Sequence, residues 1–285
     1  MLVTGKEILA HADEHGYAVG AFNINNMEII QAIAKAAEDL QAPVILQASQ
    51  GAIKYAGIDY VAALGKLVAE RTAVPIALHL DHGTDFEEII KCIRYGFSSV
   101  MIDASKYPLE ENIARTKDIV RIAHSVGVSV EAELGKIGGT EDQVHVSDAE
   151  VTYTDPEEAR IFVEETGIDS LAIAVGTAHG IYKGEPKVDL DRIAEIDAAV
   201  SVPLVLHGSS GVPYDTLRNA VARGIRKINI DTDIRATFAR TVGAFTKEHP
   251  EEIDPRKILG PAREAMSETV KEKIQVFGSN GKAWK

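Results

Sequence analysis

The chain repeats one unit: a short apolar run rich in Val, Ile and Leu, a polar turn, then a stretch with helical spacing of its apolar residues. The apolar runs fall at 18–22, 43–48, 75–80, 99–103, 128–133, 170–175, 203–206 and 227–230. They do not alternate strictly, as expected of strands covered on both faces. Amphipathic segments such as 27–40, 86–95 and 110–125 lie between them, and Asp155-Pro156 and Asp254-Pro255 read as helix starts. Eight strands alternating with helices in 285 residues predict an α/β fold, a single (β/α)8 TIM barrel over residues 1–285. An open doubly wound sheet is the alternative. No Gly-x-Gly-x-x-Gly follows the first run, so a dinucleotide site is not expected. From Arg256 onward the reading is an extra C-terminal helical segment with a loose tail, in which Trp284 is incidental.

Composition narrows the function classes. Against 30 basic residues stand 43 acidic ones, a net charge of −13 that argues against nucleic acid or an anionic membrane as partner. An anionic substrate would therefore need positive potential supplied locally by its site. No apolar run reaches the roughly 18 residues of a membrane span, and the N-terminus lacks a signal-peptide layout. Cys92 is the one cysteine, so no internal disulfide forms and a cytoplasmic location is expected. Cys92 itself reads as a packing residue.

In a barrel, chemistry sits at the C-terminal ends of the strands. Six successive runs end there in ionisable or small polar residues: His79-Leu80-Asp81-His82, Asp103-Ala104-Ser105, Glu131-Ala132-Glu133, Gly176-Thr177-Ala178-His179-Gly180, His207-Gly208-Ser209-Ser210-Gly211 and Asn229-Ile230-Asp231-Thr232. His82, His179 and His207 follow three different strands at one rim, a set suited to zinc with a position left for substrate or a carboxylate. Glu131 and Glu133 share strand parity, as do His79 and Asp81, so both members of a pair face inward if either does. An inward carboxylate needs a counter-charge, which a metal supplies. Glu133 and Asp103 are thus candidate ligands. Alternatively Glu131, Asp103 and His79 form a structural polar network beneath the site, in which Glu131 and His79 can orient its ligands.

The Gly208-Ser209-Ser210 loop and Asn229 to Thr232 follow the seventh and eighth strands, where barrels commonly bind phosphate. Asp231 would repel a phosphate and is better suited to a hydroxyl. Lys183 and Arg256 are candidate phosphate cations. The loop from Gly135 to Gln143 is glycine-rich, and Glu141 on it suits a mobile base.

Together these blocks resemble the class II, zinc-dependent ketose-bisphosphate aldolases, in that family's order and over nearly the whole chain. The resemblance implies zinc on His82, His179 and His207, with Glu133 ligating in some states. It implies Asp81 as the acid/base on the aldehyde-side hydroxyl, Glu141 as the base at C1 of dihydroxyacetone phosphate and Asn229 as a stabiliser of the enediolate. Gly180, Lys183, Gly208, Ser210, Asp231 and Thr232 match the dihydroxyacetone phosphate pocket, Asn23 and Ser49 match substrate contacts, and Arg256 resembles an arginine that reaches the second phosphate in a neighbouring subunit. A second divalent position and a sodium or potassium ion near the phosphate are features such a site can carry. Homodimers or homotetramers, and a place in glycolysis, are implied as well.

The chemistry agrees with these residue types. Breaking a carbon–carbon bond beside a carbonyl leaves charge that a Lewis acid can hold. The metal-free route needs an inward lysine for a Schiff base. No run ends in lysine, and Lys227 begins the eighth, at the far end of the barrel. The Gly-Thr-Ala-His-Gly block is also similar to tagatose-bisphosphate enzymes, whereas Asn-Ile-Asp-Thr-Asp is closer to fructose ones. Fructose 1,6-bisphosphate is therefore the expected substrate and the tagatose epimer the alternative. A zinc hydrolase on a barrel commonly pairs two histidines at i and i+2 on an early strand; here that pair is His79 and Asp81. A non-catalytic phosphosugar-binding relic would have been favoured by loss of Asp81 or Glu141, and both are present.

Overall fold

In a computed structural model of the chain, the described residues are 1–141, 144–147, 150–182 and 184–284, with strand residues 140–141 and 144–146 described by backbone alone. The strands are β1 (Val19–Asn23), β2 (Val44–Ser49), β3 (Ile76–Gly83), β4 (Ser99–Ile102), β5 (Ser129–Leu134), β6 (Gly138–Glu141), β7 (Val144–Val146), β8 (Ser170–Ile173), β9 (Ala178–His179), β10 (Leu204–Leu206) and β11 (Ile225–Ile230). The helices are α1 (Gly5–His15), α2 (Met27–Asp39), α3 (Gln50–Ala56), α4 (Ile58–Arg71), α5 (Phe86–Arg94), α6 (Leu109–Ser125), α7 (Pro156–Thr166), α8 (Leu190–Ala199), α9 (Tyr214–Ala222), α10 (Thr232–Glu248) and α11 (Pro255–Phe277). Among the described residues no helix is long and apolar enough to cross a membrane.

Strands β1, β11, β10, β8, β5, β4, β3 and β2 pair in that order and close into a barrel. All of these pairings are parallel. The eight apolar runs are therefore the eight staves, and the extra C-terminal helix is α11. Both Asp-Pro starts act as anticipated: Asp155 caps α7 and Asp254 caps α11 through their carboxylates.

Because registered neighbours share a face, strand pairing sorts the interior. Ala21 pairs with Ile45 and Asn229, Asn23 with Gln47, Gln47 with His79, Ser49 with Asp81, and Met101 with Glu131. The lower interior is apolar. Helix α1 plugs that end, burying Ile8, Leu9 and Ala12 against Val19, Ala21, Ile45 and Ala77. Gly5 seats closely, since a Cβ there would lie 2.6 Å from Ser99 Oγ. The upper interior is polar and leads to the rim.

Two features differ from the sequence reading. Within the stretch read as a loop, residues 138–141 form a strand: β6 pairs antiparallel with β7 and parallel with β9, a second small sheet on the rim. Its Gly-Gly-Thr-Glu strand has low intrinsic preference for extended structure and forms by pairing with a segment remote in sequence. Nor is the C-terminal tail loose. Gly281 N–H donates to Leu40 O at 2.8 Å and Ala283 N–H to Gln41 O at 2.9 Å. Trp284 stacks on His11 at 4.1 Å between ring centroids and packs against the plug cluster. A single aromatic near a terminus gives no signal of its docking partner, which here lies on α1.

The plug helix begins in a capping box. Thr4 Oγ1 accepts from Glu7 N–H at 3.1 Å, and Glu7 Oε2 accepts from Thr4 N–H at 2.7 Å. Thr4→Ala should lower the unfolding free energy by about 1 kcal/mol. Urea unfolding should show a lower midpoint at unchanged slope. An unmoved midpoint would mean that tertiary packing alone holds this helix end.

Candidate active site

β3 supplies the first functional side chains. His79 and Asp81 point into the barrel by parity, and His82 lies one step beyond. His82 adopts a φ of +47°, the left-handed region that costs a non-glycine residue roughly 1–2 kcal/mol. The pairing of β3 with β4 shifts register between Leu80 and Gly83, and a Cβ on Gly83 would sit 2.3 Å from Met101 O. The strand thus kinks at its end, turns the His82 ring over the barrel mouth, and needs glycine next in line.

His82, His179 and His207 converge there, with ligand nitrogens within 4.8 Å of one another. Two of the rings are oriented by buried carboxylates. His82 Nδ1 lies 3.0 Å from Asp103 Oδ2, and His207 Nε2 lies 2.9 Å from Glu131 Oε1. A carboxylate accepts, so each of those nitrogens carries the hydrogen. The opposite nitrogens, His82 Nε2 and His207 Nδ1, face each other at 2.9 Å. In these tautomers both present lone pairs, an arrangement that a shared cation satisfies. Burial also pushes the His207 pKa down, favouring the neutral ring that a metal requires.

Glu133 Oε2 is buried without a hydrogen-bond partner and lies 3.9 Å from His207 Nδ1. Burial and the nearby Asp103 charge push its carboxyl well above the usual range. A cation at the mouth would reverse that. Three imidazoles, an orphaned carboxylate oxygen and two opposed lone pairs fit a zinc-type site. His82, Asp103 and Glu133 form a second group with ligand atoms within 4.8 Å of one another. Asp103 also accepts from Ser105 Oγ at 2.7 Å. Burial raises its carboxyl, but the bonds from His82 and Ser105 outweigh burial and hold it below the usual range.

Beneath the mouth, Lys227 Nζ lies 2.9 and 3.1 Å from the two Glu131 oxygens, with both side chains buried. Burial would raise the Glu131 carboxyl, but the Lys227 ammonium, the bond to His207 and His79 together hold it below the usual range. His79 Nδ1 bonds Ser99 Oγ at 2.8 Å, and its Nε2 stands 3.8 Å from Glu131 Oε2. Glu131 therefore orients a ring at the mouth directly, while His79 stands one step behind. Sequence reasoning set Lys227 aside as lying at the far end of the barrel. Its backbone does, but its long side chain rises inside. The available signal was parity, since Lys227 and Asn229 must face the same way.

Asp81 is fully buried and clamped by three carboxamides. Asn23 Nδ2 and Gln47 Nε2 donate to Oδ2 at 2.9 and 3.0 Å, and Asn229 Nδ2 donates to Oδ1 at 3.2 Å. Gln47 also donates to Asn23 Oδ1 at 2.7 Å. It was missed from sequence, although a lone amide at an inward position of apolar β2 was a visible oddity.

A cleft beside the histidines gathers Asn23, His179, Gly180, Gly208, Ser209, Ser210, Asn229, Asp231 and Thr232. Thr232 opens α10, whose N-terminus borders this cleft and favours an anion. Ser210 Oγ accepts from Asp231 and Asp233 N–H, each at 3.3 Å. Arg235 lines the cleft too and pairs with Asp231 at 2.8 Å. Sequence reasoning passed over it, although it sits one turn after Asp231.

Ser49 is buried at the end of β2, where its Oγ accepts from Ala52 N–H and caps α3. Arg256 is not brought to this cleft. It is exposed, pairs with Asp254 at 2.7 Å, and lines a separate surface cleft with Met27, Gln31 and Arg263. Lys183 and the Glu141 side chain lie outside the described residues. The backbone of β6, which carries position 141, pairs with β9 through Gly138–Ala178 and Gly139–His179.

Comparison with known proteins adds three findings. A family model described as fructose-bisphosphate aldolase class-II matches residues 3–282. The chain is 48% identical to the fructose-bisphosphate aldolase of Thermus caldophilus, covering 99% of this chain and 100% of that one. It is 49% identical to the probable fructose-bisphosphate aldolase of Bacillus subtilis, covering 99% of each. Among solved structures, the YdjI aldolase of Escherichia coli K12 superposes with a TM-score of 0.88 at 36% identity, covering both chains fully. A putative fructose-1,6-biphosphate aldolase from Coccidioides immitis gives 0.90 at 32% identity over 98% of this chain and 97% of that one.

The polar interior makes the metal-free fold acid-sensitive. Burial first, then repulsion from Lys227, depresses the His79 pKa from 6.5 to about 3. The unfolded chain therefore takes up a proton that the folded one refuses, and stability falls as pH drops from 6.5 toward 3. Each such histidine adds a slope approaching about 1.4 kcal/mol per pH unit. Glu131 acts in the same direction only below its unfolded value of 4.5. Urea titrations between pH 6 and 5 on chelator-treated protein should show the histidine slope, reduced by about one proton in His79→Asn. The raised Glu133 carboxyl opposes this slope in the parent, so the difference between the two proteins is the readout, and a slope unchanged in His79→Asn would contradict a buried neutral His79.

Proposed function

This chain belongs to the class II fructose-bisphosphate aldolase family of carbon–carbon lyases, and on that premise we propose that it reversibly cleaves fructose 1,6-bisphosphate to dihydroxyacetone phosphate and glyceraldehyde 3-phosphate. Residues 1–285 are read as one catalytic domain. One observation carries the reading: imidazole lone pairs aimed at a common point by Asp103 and Glu131, beside an Asp81 clamped by amides.

The metal is proposed to be zinc, held by His82, His179 and His207 with Glu133 as a further ligand; Asp103 holds the His82 ring and with Glu133 offers a second divalent position. Bound there, zinc acts as a Lewis acid toward charge developing on the substrate's carbonyl oxygen. The remaining work falls to the protein's own groups.

Asp81 accepts the C4 hydroxyl proton as the C3–C4 bond breaks, and returns it in condensation. Its three amide partners all donate to its oxygens, which holds it as an acceptor in a fixed orientation. Asn229 Nδ2 spends one hydrogen on Asp81 and offers its second to an oxygen of the three-carbon fragment. Glu141 is assigned the proton at C1, on the family's pattern.

The phosphate of the three-carbon half is proposed to seat against Gly180, Gly208, Ser209, Ser210 and Thr232 at the α10 N-terminus, with Lys183 adding positive charge and a sodium or potassium ion nearby. Asp231, already paired with Arg235, suits a hydroxyl better than the phosphate. Asn23, which lines the same cleft, and Ser49 are proposed to contact substrate.

Arg256 lines a different cleft of its own chain. On the family's pattern its role at the second phosphate is proposed to be played across a subunit boundary, in a homodimer or homotetramer. A cytoplasmic location and a glycolytic role complete the reading.

A coupled assay offering fructose and tagatose 1,6-bisphosphates separately, with chelator and then zinc, tests it. Triose phosphates should appear from the fructose epimer, vanish on chelation and return with zinc. Asp81→Asn should lower turnover about 10²- to 10⁴-fold at unchanged zinc content. Release from the tagatose epimer alone would move the assignment to that substrate. Phosphosugar binding without turnover by either would sink the lyase reading.

A further inference from the structure

The three converging histidines are held in different ways. His82 and His207 have buried carboxylates behind them. His179 sits on β9, a two-residue strand outside the barrel wall. The ladder between β8 and β10 stops at Ala172 and Val205. Among the described residues, no strand pairing joins the segment carrying His179 to the one carrying His207. Pairing on the other side, to β6, ties β9 to a different part of the rim.

One side chain spans that gap. The Tyr182 hydroxyl accepts from Ala178 N–H at 2.7 Å and donates to Gly208 O at 2.7 Å. Ala178 immediately precedes His179, and Gly208 immediately follows His207. The backbones touch at this point: a Cβ on Gly208, whose φ is +61°, would lie 2.6 Å from Ala178 C and O. The phenol ring is half-buried against the core, with its edge 3.4 Å from where a Cβ of Gly211 would stand. A ring anchored in packing presents its hydroxyl at a fixed height. That hydroxyl therefore ties the two loops at one fixed spacing.

We infer that Tyr182 is a positioning residue whose hydroxyl clasps the sixth and seventh rim loops together, setting the spacing of His179 from His207. The same two loops supply Gly180, Gly208 and Ser210 to the phosphate cleft, so the clasp also couples that cleft to the histidines. The inference rests on the metal reading of the site.

Tyr182→Phe removes one oxygen and keeps the packed ring. On chelator-stripped protein, zinc affinity measured against a chromophoric chelator should weaken by about tenfold, the lower end of the loss seen when a group orienting a ligand is removed. In the cobalt(II)-loaded protein the visible ligand-field bands should shift or lose intensity, while the metal-free melting temperature stays near the parent's. Tyr153→Phe, at another rim tyrosine, should leave all three unchanged. A Tyr182→Phe protein with parental zinc affinity and cobalt bands would overturn the clasp and leave the metal reading intact. Parent protein that binds neither zinc nor cobalt would overturn both. Should Tyr182→Phe fail to fold, Gly208→Ala tests the same spacing by driving a Cβ into Ala178, and unchanged cobalt bands there would equally overturn the inference.

Discussion

A carboxylate sealed inside a closed barrel must be matched by charge and hydrogen bonds, and Glu131 is the group on which this site depends. Alone it would be among the most costly elements of the interior. With Lys227 against both its oxygens it becomes a fixed anion, and a fixed anion orients whatever touches it. His207 is what touches it, so one ring nitrogen is held as a donor and the other is turned toward His82. Asp103 does the same to His82 from the other side. The candidate metal site is thereby oriented from beneath by the barrel's own charges.

The upper barrel applies the same logic to a different end. Asp81 is buried as deeply as Glu131, yet among the described residues it is neutral carboxamides from β1, β2 and β11 that hold it. Amide donors stabilise a carboxylate without neutralising it, which is compatible with the acid/base role proposed for this group. Two buried acids a few strands apart thus differ in whether their partners carry charge. The rim then adds what the staves cannot: close backbone approach at Gly83 and Gly208, a helix N-terminus at Thr232, and a small sheet that brings β6 beside His179.

Much of this was legible in the linear chain. The repeat of apolar run and amphipathic segment announced eight staves, and parity paired Glu131 with Glu133 and His79 with Asp81, because a strand alternates with a period of two. The three histidines and the Gly208-Ser209-Ser210 loop were found from their place after the strands; the histidines converge, and the cleft beside them takes in His179, that loop and Asn229. Lys227, Gln47, Arg235 and the docking of Trp284 were not found. Each acts through a partner that its own segment does not predict, and Lys227 further escapes because its side chain ends far from its backbone.

The strands, the helix caps at Asp155 and Asp254, and the stock of residues at the strand ends are local properties, legible in the linear chain because they follow from spacing within a few residues. Which of them meet is a property of the folded barrel. His207 and His82 are 125 positions apart, and Lys227 and Glu131 are 96 apart. Closure of the barrel and its register bring such pairs within 3.1 Å. A contact of that kind depends on every stave between its partners, which is why no local pattern records it.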